Sequence, residues 1–149
     1  MKLGLDIHGV IDANRPLFAE LTNLLQASND QYIRVGQPPP HEVHILTGPR
    51  SQDLKPEELD GIWYTHLFSI VDYHIAKGTA VEWVGGRAWM SDYDWDRTKA
   101  DYAREHQLDL TIDDSETYQR FFSTPYAIFK PRTNWRQIAA KERHLHGQA

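Results

Sequence analysis

The chain contains no cysteine. Disulfides are therefore excluded, no thiolate is on hand for redox or Cys-zinc chemistry, and the core must come from packing. No apolar run approaches the roughly 18–20 residues that span a bilayer. Met1-Lys2 leads straight into Leu3-Gly4-Leu5, too short for a secretory apolar segment, so a cytoplasmic protein without a membrane partner is the expectation. Positive charge is not in excess either. Lysine and arginine number 16 against 21 aspartates and glutamates, a net charge of −5. That balance gives no support for broad nucleic-acid binding, although a local basic patch stays open.

What is there is ordinary globular material: 149 residues, 40% apolar and 25% charged. This length suits one domain, 1–149, able to bury roughly two-thirds of its unfolded surface. No internal repeat, low-complexity tract or linker divides it, and Pro38-Pro39-Pro40 reads as a loop stiffener. The pattern alternates strands and helices. Residues 3–7 form a short apolar run ending near Asp6. Pro16 opens a helical repeat carried by Leu17, Phe18, Leu21, Leu24 and Leu25. Residues 43–47 (VHILT) read as a second strand closed by Gly48-Pro49. Pro56 with Glu57 and Glu58 predicts a helix start, and Leu59, Ile62, Trp63, His66, Ile70, His74 and Ile75 a single face running to a stop at Gly78. Residues 80–84, 108–112 and 126–129 are the third, fourth and fifth strands, with helices expected over 95–106, 116–122 and 134–144. Strands separated by helices predict an α/β, three-layer, Rossmann-like parallel sheet of about five strands flanked by helices.

In such a sheet, ligands bind beyond the carboxyl ends of the strands. Asp6 ends the first strand, Thr47 and Gly48 the second, and Asp113-Asp114 the fourth. Carboxylates converging there without a cation would repel, and oxygen-only ligands favour magnesium. Taken alone, Asp113-Asp114-Ser115 reads first as a helix cap and second as a site.

The segment Asp6-Ile7-His8-Gly9-Val10-Ile11-Asp12 resembles the first motif of the haloacid dehalogenase superfamily, usually Asp-x-Asp-Gly-Thr/Val. Ile45-Leu46-Thr47-Gly48 is similar to the second motif, Lys99 to the lysine of the third, and Ile112-Asp113-Asp114 to the acidic fourth. These segments occur in the family's order over most of the chain. The resemblance implies a magnesium-dependent phosphohydrolase with Asp6 as nucleophile and an aspartyl-phosphate intermediate. It implies that Asp6, the backbone carbonyl of His8, and Asp113 and Asp114 hold Mg2+. Thr47 would then bond a phosphoryl oxygen, with Lys99 holding Asp6 and phosphate together. Gly9 would permit a tight turn. Gly48 and Arg50 would face the substrate, a phosphorylated small molecule or macromolecular end; surface arginine is the plain reading of Arg50. Lys77 competes with Lys99 but sits beside Gly78, where a cation suits a helix end.

One departure matters. Where the family has its acid/base aspartate, this chain has His8. An imidazole can act there, since both its forms exist near neutrality. A working phosphatase, a weak one, and a non-catalytic or regulatory binding module all stay open, with a phosphotransferase as a lesser option. Neither the interval 12–41 nor 85–96 is large enough for a folded cap, so the site is expected to be open. Trp83, Trp89, Tyr93 and Trp95 read first as packing over the sheet edge and second as a base-stacking surface. His66 and His74 read as core or hydrogen-bonded residues on one helix face. His41 and His44 lack helical zinc spacing, and His144 and His146 fall in a polar tail.

Overall fold

The computed structural model describes residues 1–79, 81–131 and 147. Strand β1 (Lys2–Leu5) leads into a wide turn, Ile7–Ile11, and then helix α1 (Arg15–Arg34). Strands β2 (Glu42–Thr47) and β3 (His66–Ser69) follow, then α2 (Ile70–Lys77), the pair β4 (Glu82–Val84) and β5 (Arg87–Trp89), and α3 (Asp92–Glu105). Strand β6 (Leu110–Asp113), helix α4 (Glu116–Gln119) and strand β7 (Tyr126–Ile128) complete the described elements. The expected helix over 134–144, with His144 and His146, lies outside the described residues.

The main sheet is five-stranded, in the order β3-β2-β1-β6-β7, and every pairing in it is parallel. Its two faces are covered by different apolar sets. Leu3, Leu5, Val43 and Ile45 pack with Phe18 and Leu25 of α1, while Leu46 packs with Ala103 of α3 and with Leu108. This is the three-layer α/β arrangement that alternating strands and helices require. Gly4, on β1, lets the second layer come close: a Cβ there would lie 3.0 Å from both Leu108 Cδ1 and Thr111 Oγ1.

Helix α1 begins where Asn14 accepts the Leu17 amide at 3.3 Å, with Pro16 in the first turn. Its buried stripe is Phe18, Thr22, Leu25 and Asn29, and Leu17 and Leu24 point to solvent. Buried polar partners shift the stripe from the purely apolar reading. Thr22 Oγ1 donates to the Phe18 carbonyl at 2.8 Å and accepts from the Trp63 amide. Asn29 clamps the end of the proline loop, accepting from the His41 amide and donating to its carbonyl.

The continuous helix expected from Pro56 to Gly78 does not form. Only Pro56–Leu59 makes a 3-10 turn. Gly61 then takes a left-handed φ of +76°, and the chain enters edge strand β3, where Thr65 anchors the Val43 amide. Ser69 accepts the Asp72 amide and starts α2 afresh. His66 and His74 therefore lie on a strand and a helix, not on one helix face, and Ile75 is exposed. His74 is a hydrogen-bonded core residue, between Thr79 and Thr98 Oγ1 atoms at 2.8 and 2.7 Å.

Residues 80–84 were the expected third sheet strand. Instead Glu82–Val84 pairs antiparallel with Arg87–Trp89 in a separate hairpin. Gly85 and Gly86 both have positive φ, the conformation of a two-residue turn matching strand twist. The third strand of the main sheet is β3. Among the described residues, no helix is long and apolar enough to cross a membrane.

Candidate metal and phosphoryl site

The strand order runs outward from β1 through β2 and β3 on one side, and through β6 and β7 on the other. The reversal falls between β1 and β6, and the crevice at the carboxyl ends there is where open α/β sheets take ligands. Asp6 follows β1, and its amide donates to the Ile112 carbonyl of β6 at 3.1 Å. Asp113 ends β6 and Asp114 follows it. One oxygen from each of Asp6, Asp113 and Asp114 lies within 4.8 Å of the others.

Lys99 comes to this point from α3, which starts at Ser91, whose side chain accepts the Asp94 amide. Its Nζ donates to Asp6 Oδ1 at 3.0 Å and to Asp113 Oδ2 at 2.7 Å. All three groups are buried, Lys99 at 3% and Asp113 at 1% exposure. Asp113 Oδ1 also accepts the Ser115 amide, so the capping reading and the site reading of this residue hold together. Burial pushes the Asp6 carboxyl up to about 6; Lys99 opposes this and Asp113 adds to it. Burial and Asp113 likewise raise Asp114. Burial works against the Lys99 ammonium, but Asp6 and Asp113 outweigh it and hold the lysine above its ordinary value. Lys77, the alternative lysine, lies at the end of α2, its Nζ 5.6 Å from the Tyr73 ring centroid.

The turn after Asp6 is built for close approach. Gly9 has φ +85°, and a Cβ there would meet Asp114 Oδ2 at 2.1 Å. Any side chain would displace that carboxylate. Thr47, at the end of β2, is fully buried, and its Oγ1 has no hydrogen-bond partner among the described residues. An orphaned buried hydroxyl is costly, and a phosphoryl oxygen is a suitable partner for it. Three carboxylates facing one ammonium leave an excess of negative charge at oxygen-only ligands, which fits a hard divalent cation such as Mg2+.

His8 follows a different course from the acids. Its side chain is half exposed, and its Nε2 lies 2.6 Å from Glu58 Oε1. Glu58 also accepts the Lys55 amide, and that bond above all holds its carboxyl below the usual range. In the sequence Glu58 stands out only as a helix-start acid. The fifty-residue separation from His8 hid the pairing.

Gly48 packs under Trp95, whose ring atom Cζ2 would lie 2.8 Å from an added Cβ. Trp95 Nε1 donates to the Tyr118 hydroxyl at 2.7 Å, and the Tyr118 ring lies 5.3 Å from Lys99 Nζ. Tyr118 was not among the expected site residues. Beside Gly48 opens a cleft of about 420 Å3 lined by Pro49, Arg50, Val71, Trp83, Arg87 and Trp95. Arg50 is partly buried, 5.5 Å from the Trp83 ring centroid and 3.9 Å from Asp72. Trp83, Trp89 and Tyr93 are exposed, so the packing reading holds for Trp95 and not for these three.

A second group able to hold a metal ion, Glu42, His44 and His66, lies elsewhere on the sheet. The separation in sequence of the two histidines and the mistaken helix concealed it.

The chain matches no family model, no curated protein and no solved structure.

Proposed function

We propose that the chain is a magnesium-dependent phosphomonoesterase of haloacid dehalogenase type, acting through an aspartyl-phosphate on Asp6. The observation that carries this reading is the meeting of Asp6, Asp113 and Lys99 at the strand-order reversal, with Nζ bridging the two carboxylates at 3.0 and 2.7 Å. Mg2+, held by Asp6, Asp113, Asp114 and the His8 carbonyl, would supply charge neutralisation for the transferring phosphoryl group.

The chain's own residues divide the rest of the work. Asp6 attacks phosphorus through a carboxylate oxygen as the ester P–O bond breaks. Lys99 keeps that carboxylate ionised and in place despite its burial. Thr47 donates to a phosphoryl oxygen. His8, oriented by Glu58, gives its proton to the leaving alkoxide and then takes one from the attacking water, which releases phosphate and restores Asp6. The cleft beside Gly48 would receive the rest of the substrate, with Arg50 at its rim. A cytoplasmic phosphorylated metabolite or macromolecular end is the substrate class, reached through an open, capless site.

The second reading is a binding module that keeps the metal cluster but not turnover, favoured by the half-exposed position of His8. Acid quenching during turnover of a labelled phosphoester separates the two. Label retained on the wild-type chain and absent from Asp6→Asn supports the phosphatase. Magnesium binding without any labelled chain or released phosphate supports the module.

A further inference from the structure

The amino ends of the strands carry a cluster of different chemistry from the acidic site. His44 and His66 are register partners on the neighbouring parallel strands β2 and β3, and their rings stack at 4.1 Å with only 3° between planes. Glu42 lies two residues before His44, on the same face of β2. Its Oε2 is 2.8 Å from His44 Nε2, and one ligand atom from each residue lies within 4.8 Å of the others. Glu42 begins the strand that Thr47 ends, which separates the two by roughly 16 Å at strand rise.

We infer that Glu42, His44 and His66 form a second metal site, for a zinc-class divalent ion. The donor set is two imidazoles and one carboxylate. That mixture prefers zinc and its transition-metal neighbours, whereas the oxygen-only cluster at Asp6 suits magnesium. Three protein ligands leave a fourth position for water.

The nitrogens are already sorted. His44 Nδ1 is held by the Tyr102 hydroxyl at 2.7 Å, which leaves Nε2 facing Glu42. An outer hydrogen bond of this kind orients a metal-binding imidazole. His66 Nδ1 is engaged by Thr65 Oγ1 at 2.8 Å, and its Nε2 has no hydrogen-bond partner among the described residues. Ligand atoms in a tetrahedral zinc site lie roughly 3.3 Å apart, given bonds of about 2.0–2.1 Å. Parallel stacked rings do not aim both lone pairs at one point, so His66 must turn about its side-chain torsions. It is exposed on edge strand β3, where a side chain can turn toward solvent. A further imidazole, His106, stands 5.6 Å from His44 between ring centroids.

The test uses the full chain, freed of metal and then kept in excess Mg2+ to occupy the acidic site. Zn2+ is titrated by calorimetry and Co2+ by its visible absorption. One equivalent of each should bind the wild type, at least about tenfold more weakly in His66→Ala and in Glu42→Gln. His66→Ala removes an exposed side chain, and its circular dichroism should match the wild type. Asp114→Asn and the double variant His144→Ala/His146→Ala should bind as the wild type does. No uptake by the wild type would overturn the assignment. So would affinity unchanged in both His66→Ala and Glu42→Gln, or uptake that disappears with His144 and His146.

Discussion

Replacing Lys99 with methionine isolates the charge balance of the acidic crevice. Methionine keeps most of the side chain's length and volume, so the change is chiefly the loss of a cation. Lys99 makes both of its hydrogen bonds to buried carboxylates, with its side chain only 4% exposed. Removing one member of a buried ionic group costs about 3–5 kcal/mol, because the partners stay desolvated and unpaired. In a chain of this size, about 2–4 °C of melting temperature accompanies each kcal/mol, which predicts a loss of roughly 6–20 °C near neutral pH. The deficit should shrink on acidification. Asp6 already titrates near 6 in the folded protein, above its ordinary 3.8, and without Lys99 it moves higher still. A group raised on folding contributes stability fully below its unfolded pKa and loses it as pH rises through the folded one. The variant should therefore close on the wild type as pH falls toward about 6, where folded Asp6 is protonated in both, hold a constant smaller deficit below that, and diverge above. Saturating Mg2+ should raise its melting temperature more than the wild type's, since the ion replaces the missing charge. Thermal unfolding by circular dichroism at pH 5 and 7.5, with and without Mg2+, measures all of this. A loss within about 2 °C that is the same at both pH values would mean that Lys99 does not offset the charge of Asp6 and Asp113.

Magnesium affinity, followed by calorimetry, should fall as pH drops through about 6, approaching about tenfold per unit, because a proton on Asp6 competes with the ion; an affinity flat from pH 7.5 to 5 would contradict this. Gly9→Ala should cost about 1–3 kcal/mol in urea unfolding through its left-handed backbone, and should also weaken Mg2+ binding by displacing Asp114. Hydrolysis of alkyl phosphates should fall about 10²–10⁴-fold in His8→Ala, while p-nitrophenyl phosphate, whose leaving group departs without a proton, falls far less. Glu58→Gln should move the same ratio in the same direction; equal losses on both substrates would remove His8 from the acid step.

The acids of the site were legible because strand ends can be found from short apolar runs, and a parallel sheet brings its carboxyl ends together. Asp6, Thr47 and Asp113 each follow or close such a run, and Lys99 lies on the helix that leads to β6. The stretch from Pro56 to Gly78 was not legible. Apolar residues at three- and four-residue intervals fit a helix, but Gly61 and the short edge strand His66–Ser69 satisfy the same residues differently. Ser69 followed by Asp72 was the local sign of a new helix start. Contacts such as His8 with Glu58, or His44 with His66, depend on register and loop course, to which a periodic pattern is blind.

The proposed phosphatase requires that Asp6 accept a phosphoryl group beside a cation held by Asp113 and Asp114. Beryllofluoride mimics that group, and its binding in the presence of Mg2+ can be followed by fluorine magnetic resonance. Bound fluoride signals should require Mg2+ and vanish in Asp6→Asn. Signals that persist in that variant, or none from a wild-type chain shown to bind Mg2+, would contradict this role of Asp6.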